Sequence, residues 1–222
     1  ELPGDAAWLL VCDGMGGVQG GKVASTIACS AFEEEARRLL QKEEGEQPSF
    51  SDVVTGAAQA ANRAVYESAR QDAHLTGMGT TLVCLLTDGK QAVVGNIGDS
   101  RAYYITEAGI TRITKDHSLV GSMVEQGNMT EQEARRHPNR NLITRALGPE
   151  ENVRDDEFSC KWKQGDYLLL CTDGLVNTVS DQELLFEIVH TEDPEHCLRR
   201  LVDISVSRGA PDNITAILMQ NI

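Results

Sequence analysis

The hydrophobic pattern begins with a short apolar run at residues 7–12, which stops at the pair Asp13-Gly14. A continuous apolar run of this length that ends in a turn signal predicts a buried β-strand. From residue 22 to about residue 40, small and apolar residues recur at helical spacing, and an acidic, polar stretch at residues 42–49 follows them. The pattern predicts a strand, a sharp turn, a helix and then a loop.

A second helix is predicted after this loop. Either Ser51 or Asp52 can cap its N-terminus, and alanine and apolar positions at helical spacing carry it to about residue 70. The first strand is therefore followed by two helices.

The middle of the chain changes to the period of strands. Residues 80–98 hold two β-rich runs joined by Asp88-Gly89, which is among the strongest short-range signals for a hairpin. Residues 101–114 repeat the pattern around Glu107-Ala108-Gly109. We expect an antiparallel meander here.

The second half mixes both periods. Thr130 and Glu133 are spaced as a capping box for a short helix that ends at Pro138. Further strands are predicted within residues 153–162, 166–172 and 214–219, and helices at residues 181–189 and 195–206. Together the elements predict a single α+β domain over residues 1–222, in which strands pack on one another and helices cover the outer faces.

Composition narrows the class of protein. With 222 residues, 41% of them hydrophobic, the chain can bury the core of one sizeable domain, and no apolar run is long enough to span a bilayer. Its 34 acidic and 20 basic side chains leave a net charge of -14, which repels nucleic acids and anionic membrane surfaces. We therefore expect a soluble, cytoplasmic protein that binds neither nucleic acid nor membrane.

The cysteines are spread singly through the chain, and none has the paired spacing of a zinc site or a redox motif. They are Cys12, Cys29, Cys84, Cys160, Cys171 and Cys197. We expect reduced, mostly buried thiols without a catalytic role.

Four aspartates stand beside predicted strands. Two apolar strands end in the same dipeptide, Asp13-Gly14 and Asp173-Gly174, while Asp116 follows a third strand and Asp212 precedes the last one. A carboxylate at a strand end, with a glycine that lets the backbone turn, aims an oxygen ligand into a cleft. Each aspartate alone also fits a turn former or a helix cap. Together they indicate a site for Mg²⁺ or Mn²⁺, because no histidine has zinc-site spacing and no loop has the EF-hand register.

A cluster of glycines follows the first of these aspartates and opens a helix. It comprises Gly14, Gly16, Gly17, Gly20 and Gly21. A glycine-rich helix N-terminus is able to cradle a phosphate, but this one lacks the lysine of a Walker loop and the spacing of the dinucleotide fingerprint. ATP and NAD are therefore disfavoured, and we expect the glycines to let the backbone come close to the metals and to a phosphate group.

Seven short motifs resemble those of the PPM (type 2C) protein phosphatases and occur in the same order. They are DGMGG at 13–17, GMGTT at 77–81, GDSRAY at 98–103, KDHS at 115–118, TRALG at 144–148, TDGL at 172–175 and DNIT at 212–215. The resemblance covers nearly the whole chain. It implies an antiparallel β-sandwich flanked by helices on both faces, with a binuclear Mn²⁺ or Mg²⁺ centre at one end.

The resemblance also implies a role for each aspartate. Asp13 is expected to bridge both metals, and Gly14 to bind one through its carbonyl group. Asp173 and Asp212 are expected to complete the ligands of the first metal, and Asp116, together with Asp173, to hold a third, weaker metal. The intervening segment GDSR is expected to be structural, tying strands together beneath the site.

The activity implied is hydrolysis of phosphoserine and phosphothreonine in proteins by a metal-activated water, in line with the leaving hydroxyl and without a phosphoenzyme. Met15 stands where many eukaryotic relatives have a histidine, so the proton for the leaving group is expected from elsewhere, such as a metal-bound water. The segment at about 118–141 resembles the flap of bacterial members, whose substrates are usually those of serine/threonine kinases. Its basic run at residues 135–137 fits contact with a phosphopeptide and fits a solvated helix end equally well.

Family members begin with a strand that carries a phosphate-binding arginine, followed by an acidic residue that helps to hold the second metal. We expect this strand to belong upstream of Glu1 and to have been trimmed, because all four aspartates are present. The alternatives are that another segment or chain supplies it, or that the protein is a phosphatase-like regulatory module that binds phosphoproteins without hydrolysis. A stress-response phosphatase acting on a small anti-sigma antagonist is a further alternative, although the flap favours the generalist function.

Overall fold

The computed structural model describes residues 6–41, 48–191, 193–210 and 212–222. Its strands are β1 (Ala7–Val11), β2 (Gly14–Met15), β3 (Gly79–Thr80), β4 (Leu82–Thr87), β5 (Gln91–Ile97), β6 (Arg101–Thr106), β7 (Gly109–Arg112), β8 (Asp156–Lys161), β9 (Tyr167–Cys171) and β10 (Ala216–Gln220). Its α-helices are α1 (Gly17–Leu40), α2 (Phe50–Gln71), α3 (Leu119–Glu125), α4 (Glu131–Arg136), α5 (Asp173–Val176), α6 (Asp181–Val189) and α7 (Pro194–Ser207). A 3-10 turn at Ala73–Leu75 follows α2.

Two antiparallel four-stranded sheets form the centre of the fold. One has the strand order β1-β4-β5-β8 and the other β10-β9-β6-β7, while β2 and β3 form a small separate pair. The inner faces of the two sheets share one apolar cluster, which includes Val83 and Leu85 from β4 and Leu168 and Leu170 from β9. Successive side chains of a strand point to opposite faces, so these alternate residues of each strand fill the layer between the sheets.

Helices cover both outer faces. Leu82 and Leu86 of β4 point away from the other sheet and pack with Ala28 and Ala57, which lie on α1 and α2. On the opposite side, Tyr103 and Leu169 pack with α6 and α7, for example against Leu184 and Leu201. The predicted α+β fold, an antiparallel sandwich with helices on both faces, is confirmed.

Most predicted elements are confirmed, but two helix starts were wrong. Helix α1 begins at Gly17, ahead of the predicted residue 22. Gly16 precedes it with a φ of 109° and makes no side-chain cap, so the glycine-rich stretch carries no sequence signature of the helix start. Helix α2 is capped by Ser49, whose hydroxyl accepts from the Asp52 N–H, and Asp52 is the third residue of the helix. The short helix α5, directly after β9, was not predicted.

The two hairpins and the capping box are confirmed. Asp88 Oδ1 accepts the N–H groups of Lys90 and Gln91 at 2.9 Å, and Gly89 has a φ of 81°, which closes the turn between β4 and β5. Thr130 and Glu133 form the reciprocal pair of bonds that begins α4. The predicted loop at 42–49 lies mostly outside the described residues, and within the described ranges no helix is both long and apolar enough to cross a bilayer.

Candidate active site

Asp13 lies directly beyond β1, where two threonines hold its backbone. Its N–H donates to Thr81 Oγ1 at 2.9 Å, and its carbonyl accepts from the Thr81 N–H at 2.8 Å and from Thr80 Oγ1 at 2.9 Å. Both threonines are buried. The motif GMGTT therefore fixes the backbone of Asp13 and leaves its carboxylate free to face other groups.

Gly14 lies against the start of α1 at a distance that excludes any side chain. A Cβ on Gly14 would lie 2.0 Å from the carbonyl oxygen of Gly21, and a Cβ on Gly21 would lie 2.6 Å from the carbonyl oxygen of Gly14. Glycine at both positions lets the two backbones touch and keeps a side chain off the carbonyl group of Gly14. The role of the Gly14 carbonyl as a metal ligand stays a prediction.

Asp173 and Asp212 are brought together by a close approach of helix α5 and the segment before β10. Asp173 begins α5, and Asn177 Nδ2 donates to its Oδ2 at 3.0 Å. A Cβ on Gly174 would lie 2.2 Å from the Asn213 carbonyl oxygen, so only glycine lets the segment with Asp212 approach. Residues from the last strand of the chain therefore reach the end of β9.

The three carboxylates act on one another electrostatically. Burial raises the pKa of Asp13 to about 6, and the negative charges of Asp173 and Asp212 add to this effect. Burial also raises the pKa of Asp173, followed by the charge of Asp212. Like charges that raise each other's pKa in a partly buried region are expected where a cation is to be bound.

Asp13, Asp173 and Asp212 lie in one region of the molecule but are not arranged as a complete set of metal ligands. Within the ranges that the structure describes, no three Asp, Glu, His or Cys side chains come close enough together to hold a metal ion. Among the same residues, Asp13, Asp173 and Asp212 also lack an ion pair with any lysine or arginine.

Asp99 is a further carboxylate of this region that the sequence reasoning treated as structural. Its side chain is buried, and burial, followed by the charges of Asp173 and Asp116, raises its pKa to about 8. The signal that would have found it is its place after a buried strand beside a glycine, which repeats the pattern of Asp13 and Asp173. The neighbouring Ser100 does tie strands together, because its hydroxyl lies 2.7 Å from that of Thr81.

Asp116, the predicted ligand of a third metal, already has a cationic partner. The guanidinium of Arg101 donates to both of its carboxylate oxygens, with Nη2 to Oδ2 at 2.6 Å and Nε to Oδ1 at 3.0 Å. Arg112 Nη1 lies 3.8 Å from the same carboxylate. Asp116 therefore lies beside the carboxylate group but is engaged in an ion pair, and its role as a metal ligand stays a prediction.

A cavity of about 180 Å³ separates the segment at 118–141 from the sandwich. Asp99 and Asp173 line it, together with Arg135 and Arg140 of this segment. Arg140 forms no ion pair with any described residue, whereas Arg135 Nη2 lies 3.9 Å from Asp181. Cationic side chains therefore line the same cavity as the carboxylates.

Comparison with known proteins agrees with this geometry. Residues 3–205 match the family model described as protein phosphatase 2C. The chain is 35% identical over 219 residues to the serine/threonine phosphatase stp of Listeria monocytogenes, an alignment that covers 96% of this chain and 83% of that protein.

Solved structures give the same result. The fold is similar to that of serine/threonine phosphatase Stp1 from Staphylococcus aureus, with a TM-score of 0.88, 34% identity and coverage of 98% of this chain and 89% of that one. It is also similar to the catalytic domain of the phosphatase PstP in complex with two manganese ions, with a TM-score of 0.82, 32% identity and coverage of 97% and 90%. The chain belongs to the protein phosphatase 2C family and is an enzyme of the protein serine/threonine phosphatase class.

Proposed function

We propose that this chain hydrolyses phosphoserine and phosphothreonine in proteins at a centre of two Mn²⁺ or Mg²⁺ ions. The observation that carries the proposal is a group of carboxylates without an ion pair among the described residues, formed by the half-buried Asp13 and Asp173 with the exposed Asp212. The manganese-bound relative supports the choice of metal. A single domain over residues 1–222 with a flap at about 118–141, acting in the cytoplasm, belongs to the same proposal.

The donor set fits hard divalent cations. Asp13 is the proposed bridging ligand, Gly14 would supply its carbonyl oxygen, and Asp173 and Asp212 would supply further carboxylate oxygens. Sets made only of oxygen donors favour Mg²⁺ and Mn²⁺ over zinc. Cation binding would also offset both the burial and the repulsion that raise the pKa of Asp13.

Asp99 is the better candidate for a third, weaker metal. It is buried without an ion pair among the described residues and lies within electrostatic range of Asp173, whereas Asp116 is bound by Arg101 at both oxygens. Binding a metal at Asp116 would leave the buried guanidinium of Arg101 without its partner, which would lower the stability of the fold. We therefore propose Asp99 with Asp173 for this position, and Asp116 as the group that orients Arg101.

The protein's own residues orient the reaction. Asn177 Nδ2 donates to Oδ2 of Asp173 and so orients that carboxylate. Thr80 and Thr81 hold the backbone of Asp13. Arg140, unpaired among the described residues, is placed to attract an anionic phosphoprotein segment into the cavity. Divalent cations bound here lower the pKa of water and polarise the phosphoryl oxygens.

The substrates proposed are proteins phosphorylated by a serine/threonine kinase, because the relatives are named serine/threonine phosphatases. The second candidate is a regulatory module that binds phosphoproteins without hydrolysis. The retained carboxylates favour the enzyme, since binding alone does not require several like charges that raise one another's pKa.

The test is phosphate release from a phosphothreonine peptide with Mn²⁺, with and without EDTA. We expect activity that EDTA abolishes and that Asp173→Asn reduces by more than about 100-fold, since residues that merely support metal ligands are already worth about 10–100-fold. Asp203→Asn, the same change at an exposed position of α7, is the matched control and should leave the rate unchanged. Peptide binding without phosphate release would favour the regulatory module instead.

A further inference from the structure

His117 is a buried side chain to which the proposed reaction assigns no role. It belongs to the motif KDHS, is 8% exposed and makes two hydrogen bonds with one residue, Gly98. The Gly98 N–H donates to His117 Nδ1 at 3.0 Å, and the His117 N–H donates to the Gly98 carbonyl at 2.9 Å. Such a two-point contact fixes both the position and the orientation of the glycine.

The tautomer of His117 follows from these contacts. A backbone N–H can only donate, so Nδ1 must accept, and the proton of the neutral ring lies on Nε2. Nε2 is 3.1 Å from Asp156 Oδ2 and 3.0 Å from Arg145 Nη1. Because a guanidinium can only donate, the protonated Nε2 donates to Asp156 Oδ2, and Arg145 Nη1 donates to the other oxygen of that carboxylate at 2.6 Å. The ring is thus held on the far side by a carboxylate that is itself held by an arginine.

The glycine that His117 holds forms the turn that leads into Asp99. Gly98 has a φ of 110°, and a Cβ there would lie 2.6 Å from Thr81 Cγ2. Thr81 in turn accepts the Asp13 N–H through Oγ1. A rotation of the Gly98 peptide would therefore move the carboxylate of Asp99 and loosen the packing behind Asp13.

We propose that His117 is a positioning residue, whose Nδ1 holds the Gly98–Asp99 turn so that the Asp99 carboxylate faces Asp173 and the metal centre. The inference rests on the proposed function for the identity of the centre. His117 acts through Gly98 and touches neither substrate nor metal. Its second nitrogen serves to hold the ring in place against Asp156.

Two substitutions separate the two nitrogens. His117→Asn keeps an acceptor at the position of Nδ1 but loses the contact with Asp156, whereas His117→Gln keeps a donor toward Asp156 but loses the acceptor for Gly98. We expect His117→Gln to lower kcat roughly tenfold, the size of one buried hydrogen bond, with an unchanged KM for the peptide. His117→Asn should stay within about threefold of the wild-type kcat.

Mn²⁺ binding gives a readout that does not depend on turnover. In a titration followed by electron paramagnetic resonance, His117→Gln should weaken the weakest Mn²⁺ site, and His117→Asn should leave it unchanged. Adding His117→Gln to Asp99→Asn should change Mn²⁺ binding no further, because the histidine acts through that carboxylate. Thermal unfolding of each variant shows whether a loss merely follows instability.

Equal losses in both variants, in proportion to their loss of thermal stability, would mean that His117 has only a structural role. Wild-type Mn²⁺ binding and turnover in His117→Gln would overturn the positioning role and leave the proposed function intact. A wild-type chain that binds Mn²⁺ but does not release phosphate would overturn the proposed function, and the Mn²⁺ titration of the two variants would still decide the role of His117.

Discussion

Carboxylates in this chain have two opposite surroundings. Glu183, at the start of α6, accepts from Ser180 and pairs with Arg208 Nη2 at 2.5 Å, and the arginine together with Ser180 lowers its pKa to about 2. Asp13 has no such partner among the described residues, and burial beside Asp173 raises its pKa to about 6. Glu183, which supports the start of a helix, is therefore paired with an arginine. Asp13, at the proposed site, has no ion pair among the described residues.

The same contrast appears between neighbours. Asp116 is paired with Arg101, while Asp99, which lies close enough to feel its charge, is unpaired among the described residues and has its pKa raised to about 8. A partly buried carboxylate without a cationic partner lowers the stability of the fold. Its presence is therefore explained by function and not by a contribution to folding. The absence of an ion pair among the described residues therefore distinguishes the proposed site carboxylates from the structural ones.

The largest expected effect comes from Asp13→Asn. Activity should fall by more than about 100-fold through loss of a ligand, while the metal-free protein should gain about 1 kcal/mol, a figure discounted for the solvent around this half-buried group. Phosphate release and chemical denaturation in EDTA measure the two effects. A loss of metal-free stability would contradict the repulsion inferred between Asp13 and its neighbours.

A second effect separates Asp116 from Asp99. Asp116→Asn should lower the free energy of unfolding by about 3 kcal/mol, because it leaves the buried Arg101 without its partner. Asp99→Asn should leave metal-free stability equal or higher and should instead raise the Mn²⁺ concentration needed for half-maximal activity. If Asp116→Asn raised that concentration and Asp99→Asn did not, the third metal would belong to Asp116 as first predicted.

The smallest effect concerns Glu183 and depends on pH. Its folded-state pKa is depressed, so its contribution is present above the ordinary value near 4.5 and is lost as the pH falls toward 2. Glu183→Gln should cost about 0.5–1 kcal/mol at pH 7, since both partners are partly exposed, and the difference should shrink by pH 3. Urea denaturation at the two pH values measures it, and a difference that did not change with pH would contradict the ion pair.

The sequence predicts the sandwich and part of the site because the signals for them are local in the chain. Asp13 and Asp173 each follow an apolar strand and precede a glycine, and both properties are local. The pairing of Arg101 with Asp116 arises only when β6 and the segment after β7 pack together, so no spacing in the chain reveals it. Helix α5 was missed because its four residues are too few to show a period.

The proposed site draws on residue 13 near one end of the chain and residue 212 near the other, joined where Gly174 admits the carbonyl of Asn213. During synthesis, Asp13, Asp99 and Asp173 would all have left the ribosome before the last ligand did. Contacts of such long sequence separation form late and slowly in folding. A newly made molecule should therefore stay inactive until β10 pairs with β9 and brings Asp212 to the site. The onset of phosphate release would then report when folding is complete.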